Sequence, residues 1–238
     1  RELFVWGNLD HPNVLPLYGY IEDDGYGITD AIISPWVENG SASLYIQTDI
    51  TWEQRINLAM GVTDGLRYLH GFTPAIVHAD LKPANILVDS NGAPLICDFG
   101  LVRLVTDDIT TGLTTTSPHT GTARYLSYEL VQSTSPPTTA SDVHALGCVL
   151  MELIYSISLY AHIESLEPQA NYRILCHIDR GNPPSSRPDS THGVSSILWD
   201  IFEACWNKEP ARRPTAEDIY QYLVLNIEEI LADAKLNH

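Results

Sequence analysis

A carboxylate, an ammonium and an amide crowd into the stretch His78-Ala79-Asp80-Leu81-Lys82-Pro83-Ala84-Asn85. In an extended segment, side chains two positions apart point to the same side, so Asp80 and Lys82 present a base and a cation together. Pro83 stiffens the loop that carries them. Two apolar runs follow, Ile86-Leu87-Val88 and Pro94-Leu95-Ile96-Cys97, flanking Asp89-Ser90-Asn91-Gly92. Asn-Gly between such runs predicts a β-hairpin, which returns the end of the segment to its beginning. Asn85, just before the first run, and Asp98, just after the second, are thereby set side by side. An amide oxygen beside a carboxylate is a hard oxygen donor set of the kind Mg2+ takes alongside substrate phosphates. A base, a cation and a magnesium site are thus expected to converge.

Those groups need a scaffold, and the chain is long enough to build one. Its 238 residues are 44% hydrophobic and 18% charged, which excludes a disordered or collagenous chain. No repeat and no biased linker divides it, so a single domain over residues 1–238 is expected. Thirteen Lys and Arg against thirty Asp and Glu leave a net charge of −17, which repels polyanions and argues against a nucleic-acid partner. Cys97, Cys148, Cys176 and Cys205 are far apart with no Cys-x-x-Cys pair, the pattern of reduced thiols in an intracellular, cytoplasmic protein. The most apolar stretch, Val143 to Tyr160, is interrupted by His144 and Glu152 and falls short of the ~20 apolar residues of a membrane span. It reads as a helix buried in a core. No charged stretch with an apolar run behind it follows Arg1, so a signal peptide is not expected within these residues.

Val14 to Ile21 and Ile28 to Ser34 read as strands joined across the acidic turn Glu22-Asp23-Asp24-Gly25. Thr51 and Gln54 form a capping box, followed by Trp52, Ile56, Ala59, Val62, Leu66 and Leu69 at helical spacing until Gly71 and Pro74. Helices are expected from Val143 onward. Thr215 with Asp218 caps the last of them, whose stripe is Ile219, Leu223, Ile227 and Ile230. A few strands come first and a helical mass after.

The loop and the tripeptide Asp98-Phe99-Gly100 resemble the eukaryotic protein kinase family, whose catalytic loop reads His-Arg-Asp-Leu-Lys-Pro-x-Asn and whose metal motif reads Asp-Phe-Gly. Gly121-Thr122-Ala123-Arg124-Tyr125-Leu126-Ser127-Tyr128-Glu129 looks like the end of an activation segment. Ser141-Asp142-Val143-His144-Ala145-Leu146-Gly147 looks like the start of the central helix, and Cys205-Trp206 through Arg213-Pro214-Thr215 like the late signature. The resemblance implies an α+β, bilobal fold with a partial N-lobe at 1–34, a hinge at 35–40 and a complete, mainly helical C-lobe at 41–238. It implies ATP and Mg2+ as cofactors and a protein substrate. Asp80 would accept the proton of the substrate hydroxyl, Lys82 would offset charge on the moving phosphoryl group, and Asn85 and Asp98 would hold the metal. Ser34, as gatekeeper, with Pro35 and Val37 would meet adenine, and Glu2 would pair with an ATP-anchoring lysine. Gly100 and Thr122 belong to the activation segment, Glu129 and Arg213 match its anchoring ion pair, and Asp142 would anchor the catalytic loop. Lys82 and Thr122 look like the serine/threonine branch, and Trp36 with Cys205-Trp206 like its tyrosine-kinase-like group. The oligomeric state is unspecified.

The departures from that pattern are specific. Lysine occurs only at 82, 208 and 235, so no residue before Lys82 can be the partner of Glu2, and no Gly-x-Gly-x-x-Gly precedes Glu2. Two readings follow: a serine/threonine kinase whose first strands lie upstream of Arg1, or a pseudokinase that keeps the shape as an interaction module. Gly25-Tyr26-Gly27 lacks a third glycine and reads as a hairpin turn. His144, Cys148 and His177 are metal-ligating types without a fourth ligand at suitable spacing, and read as core. Ser127-Tyr128 stands where the family has Ala-Pro before Glu129. Ala79 replaces the loop arginine that would pair with a phosphorylated activation segment. Activity is therefore expected to be independent of phosphorylation among Thr110 to Thr120. Replacing those threonines with alanine should leave phosphoryl transfer unchanged; loss of activity with folding intact would count against it.

Overall fold

The computed structural model describes residues 5–23, 29–99, 103–104, 122–163, 169–187 and 196–236. Among the first described residues, Val5, Trp6 and Leu9 are buried, and the Trp6 indole donates to Leu15 O at 2.6 Å. Strands β1 (Gly19–Asp23) and β2 (Thr29–Ile33) pair antiparallel, with Tyr20 opposite Ile32 and Ile21 opposite Ala31. The first strand is shorter than the 14–21 expected. Val14 and Leu15 are buried and attach to a different strand: Val14 bridges Ile96, and Leu15 N donates to Ile96 O at 2.9 Å. Burial of two adjacent apolar residues outweighs continuation of a half-exposed strand.

After the short helix α1 (Ala42–Tyr45), helix α2 (Trp52–His70) begins at the expected capping box. Gln54 N donates to Thr51 Oγ1 at 3.2 Å and Thr51 N to Gln54 Oε1 at 2.8 Å, satisfying two otherwise orphaned donors. Its Ile56, Ala59, Val62, Leu66 and Leu69 are buried, and Leu58 joins them. The buried face is wider than a single stripe because the helix is sandwiched between the strand segment on one side and later helices on the other. Gly65 makes the first contact possible: a Cβ there would stand 2.7 Å from the backbone oxygen of Asn13.

Strand β3 (Ile76–Val77) precedes the hairpin of β4 (Ile86–Val88) and β5 (Pro94–Ile96), and β6 (Arg103–Leu104) pairs back onto β3. The expected hairpin is present, with a turn longer than a two-residue Asn-Gly loop. Asp89 Oδ1 accepts from Asn91 N and Ala93 N, and Gly92 takes the left-handed conformation at φ +83°.

The helical mass follows: α3 (Tyr128–Val131), α4 (Thr139–Tyr155), α5 (Ala170–Asp179), α6 (Ser196–Cys205), α7 (Ala216–Leu225) and α8 (Ile227–Leu236). Helix α4 starts at Thr139, four residues before the expected Val143, because Thr138 and Ser141 form a capping box of their own. It is buried nearly all round, as its apolar sequence requires, and Arg55 reaches across to its last turn, donating to Leu153 O at 3.0 Å. No helix among the described residues is long and apolar enough to cross a membrane. The last helix expected from Thr215 is two helices. The break falls at Asn226, whose Nδ2 donates to Tyr222 O at 2.7 Å, and Ile219, Leu223 and Ile230 remain buried across it. Phe202 and Trp206 stack, and Trp199 packs edge-on against both, beside α4. The four cysteines are free thiols. The architecture is the expected α+β arrangement of a small strand region and a larger helical one.

His144 sits on the buried central helix, and its Nδ1 has no hydrogen-bond partner among the described residues. Burial, reinforced by the positive charge of Arg213, depresses its pKa from 6.5 to about 4. A depressed histidine contributes fully above pH 6.5, and the contribution is lost as pH falls from 6.5 through about 4, because the unfolded chain binds the proton first. Stability should therefore fall by about 3 kcal/mol over that window from this group alone. Denaturant unfolding at a series of pH values checks it: the slope should flatten in His144→Gln, and equal slopes in both chains would refute the assignment.

Candidate active site

The site is built around a carboxylate at the start of α4. Asp142 is only 2% exposed and receives three donors from two other elements. His78 N donates to its Oδ2 at 2.7 Å, Ala79 N to its Oδ1 at 2.9 Å, and His70 Nε2, from the last turn of α2, lies 3.0 Å from Oδ2. Turning two successive amides onto one carboxylate puts Ala79 in the left-handed region at φ +69°, a conformation that costs a residue with a Cβ of order 1–3 kcal/mol. The three charge-assisted bonds hold it there.

His78 is buried and acts as a second brace. Its Nε2 lies 3.0 Å from Cys97 O, and its Nδ1 accepts from Asp80 N at 3.3 Å, so the proton sits on Nε2. The ring packs 5.6 Å from Phe99, which in turn lies 5.3 Å from Trp6. The loop and the residue after Asp98 are thus tied to each other and to the core.

On the outer side of this frame, Asp80 and Lys82 meet as their spacing predicts, Lys82 Nζ standing 2.6 Å from Asp80 Oδ2. Asn85 lies in a 3-10 turn, Pro83–Asn85, whose bond from Asn85 N to Lys82 O is 2.9 Å. Its amide nitrogen donates to both Asp80 O at 2.9 Å and Asp80 Oδ2 at 3.0 Å. The hairpin closes as expected: Cys97 N donates to Asn85 O at 3.0 Å, which brings Asp98 next to Asn85 along the backbone. Asp98 is exposed and left-handed at φ +64°. Asp80, Lys82 and Asn85 therefore meet, and Asp98 follows directly after the residue bonded to Asn85.

Of the other residues singled out from sequence, Ser34 and Pro35 are half-buried, Val37 is buried, and Trp36 between them is 86% exposed. The chain beyond them is stitched to β4, with Asn39 N donating to Val88 O at 3.2 Å and Val88 N to Gly40 O at 2.9 Å. This sets the 37–41 segment beside the hairpin that carries Asn85. Glu129 and Arg213 form a buried, two-pronged ion pair with both bonds at 2.7 Å. Arg213 also donates to Ala140 O at 2.8 Å and Asn207 O at 2.9 Å, joining α3, α4 and the turn before α7. Burial pushes the Glu129 carboxyl up, and the Arg213 bonds and charge outweigh it, holding the group below the usual carboxylate value. Glu2, Gly100, the turn at 25–27 and the side chain of Thr122 lie outside the described residues.

Three side chains brace the site in ways that had no role assigned from sequence. His70 is the third donor to Asp142, and its only signal was its place at the end of a capped helix. His78 is the brace described above. Tyr125 donates to Glu152 Oε2 at 2.6 Å, where burial raises the pKa of both groups; a Tyr and a Glu 27 positions apart carry no local signal.

The pattern of the protein kinase domain matches residues 1–225, and the chain belongs to that family. It is 30% identical over 236 residues to calcium/calmodulin-regulated receptor-like kinase 2 of Arabidopsis thaliana, covering 94% of this chain and 50% of the relative. It is 31% identical over 227 residues to receptor-interacting serine/threonine-protein kinase 3 of Rattus norvegicus, covering 92% and 46% respectively. An L-type lectin-domain containing receptor kinase, VI.2 of Arabidopsis thaliana, is 29% identical over 236 residues, covering 93% and 33%. The chain spans half or less of the length of these relatives.

The Glu129–Arg213 pair generates a quantitative expectation. Arg213→Met strands a buried carboxylate and should cost about 3–5 kcal/mol in denaturant unfolding. The double replacement Glu129→Leu with Arg213→Met should recover part of that loss. A single-variant cost below about 1 kcal/mol, the value of an exposed pair, would contradict the burial argument.

Proposed function

We propose that this kinase domain transfers the γ-phosphoryl group of ATP to serine and threonine hydroxyls of protein substrates. The observation that carries the reading is the Asp80 carboxylate, held at 2.6 Å by Lys82 Nζ and at 3.0 Å by Asn85 Nδ2 on a loop fastened to Asp142. Asp80 receives the hydroxyl proton and orients the attacking oxygen, and Lys82 offsets negative charge beside it. The residues fit a magnesium ion. Asn85 spends its amide nitrogen on Asp80, which leaves the amide oxygen as its coordinating end, and Asp98 adds an exposed carboxylate next to it. When bound, Mg2+ and ATP supply the phosphoryl group and the neutralisation of its charge. The protein's own contribution is position and preorganised electrostatics. Ser34, Pro35 and Val37 form the adenine-contacting strip within a hinge at 35–40, between an N-lobe portion at 1–34 and a C-lobe at 41–238. Glu129 and Arg213 anchor the end of the activation segment, to which Gly100 and Thr122 belong, and Glu2 is the N-lobe glutamate.

The alternative reading is a pseudokinase acting as a binding module. The two are separated by one pair of measurements on Mg-ATP binding and on transfer to a generic protein acceptor. Asp80→Asn should lower transfer by about 10²–10⁴-fold with nucleotide affinity nearly unchanged. Asp98→Asn should weaken Mg-ATP binding itself. If the parent chain binds nucleotide without transferring, and Asp80→Asn changes nothing, the binding-module reading holds instead.

A further inference from the structure

Ser127-Tyr128 stands where the family pattern has Ala-Pro, and the local backbone has not changed to suit. Tyr128 is the first residue of α3, the helical position at which proline is preorganised and its missing N–H costs nothing. Ser127 before it keeps the extended conformation that a following proline requires, at φ −79° and ψ 162°. The backbone is thus the one a proline would impose, without the proline. Restoring that freedom to a chain favours its disordered states by a factor of about two to five. A four-residue helix cannot absorb such a loss through its own hydrogen bonds, so contacts from outside must hold it.

One such contact comes from Lys208. Its Nζ stands 4.3 Å from the centroid of the Tyr128 ring, well inside the roughly 6 Å reach of a cation–π pair. Lys208 is placed from two sides. Its neighbour Asn207 accepts from Arg213 Nε at 2.9 Å, so the segment is already fixed to the partner of Glu129. Its stem runs over Gly181, just past α5, where a Cβ would stand 2.9 Å from Lys208 Cδ. The end of α5 meets the end of α3 again at Gln132, whose Nε2 donates to Asp179 Oδ1. A cation–π pair at an exposed position contributes a factor of about two to five, the same size as the contribution of the absent proline.

We propose that Lys208 is a positioning residue: its cation–π contact with Tyr128 replaces the family's proline in fixing the end of the activation segment, and through it the surface that receives the protein substrate. The route is short. Tyr125 and Leu126, immediately before Ser127, line one pocket with Asp80 and Leu81. A displacement of α3 therefore moves the wall beside the candidate base. Asn85, bonded to Asp80 and Cys97, is not part of that wall, so the effect falls on the protein acceptor and not on the nucleotide. The role toward substrate rests on the reading of Asp80 as the base of a phosphoryl transfer; the clamp itself does not.

Native-state hydrogen exchange on the full chain tests the clamp. The amides of Val131 and Gln132 donate to Ser127 O at 3.1 Å and Tyr128 O at 2.9 Å. In Lys208→Met, a replacement at an exposed position, their exchange should rise about two- to five-fold while that of α2 stays unchanged. Lys208→Arg should restore the parent rates, because a guanidinium also stacks on an aromatic face. Tyr128→Pro should exchange as the parent does, and Lys208→Met added to it should change nothing further. In transfer from Mg-ATP to myelin basic protein, Lys208→Met should raise KM for the acceptor about two- to five-fold and leave kcat and KM for nucleotide unchanged. Unchanged exchange in Lys208→Met, an equal rise in the Tyr128→Pro background, or an unmoved acceptor KM in a transferring chain would overturn the proposal. A parent chain that transfers nothing while Lys208→Met speeds exchange keeps the clamp and overturns its role toward substrate together with the transfer reading.

Discussion

The buried carboxylate of Asp142 collects two successive amides of the loop and the imidazole of His70, and the candidate catalytic atoms are referenced to it. A carboxylate is removed from water only where hydrogen bonds replace hydration, and here three do. The cost of the left-handed Ala79 and of the desolvated charge is offset in one cluster. Because Asp142 is on α4, whose surface is buried nearly all round, the loop inherits the rigidity of a closely packed helix. A site held to a helix is positioned more sharply than one held to a loop.

The same helix fixes the other end of the active region. Arg213 spends four of its five guanidinium donors on Glu129 and on the carbonyls of Ala140 and Asn207, partners on three elements. Tyr125 reaches Glu152 one end farther along α4. Polar anchors placed along a buried helix convert the apolar packing of the core into fixed positions for polar groups at the surface. That conversion explains why α4 carries Asp142 and Glu152 within an otherwise apolar run.

Much of this was legible locally. The capping boxes at Thr51 and Thr215 were readable because both partners lie three positions apart. The Asp80–Lys82 contact followed from strand period, and the return of Cys97, the neighbour of Asp98, to Asn85 followed from hairpin closure. The boundaries were less legible. Val14 and Leu15 had the pattern of a strand start, yet a partner distant in sequence, Ile96, captured them. Ile219, Leu223, Ile227 and Ile230 keep helical spacing through Asn226, so the break left no trace in the periodicity. Both misreadings arise where the pattern of buried residues continues while the backbone does not.

The sequence alone determined which residue types lie close along the chain and which face of each element is apolar, because those depend on the local periods of helix, strand and turn. It thereby determined the chemical composition of the candidate site, Asp80, Lys82, Asn85 and Asp98. Tertiary structure alone decided what braces them. The bonds of Asp142 span more than sixty positions and the Glu129–Arg213 pair spans 84, separations at which no local period operates. It also decided that His177 faces His162 rather than the histidine and cysteine of the central helix. Packing chooses partners by shape and desolvation across the whole core, and that choice is made only when the elements are assembled.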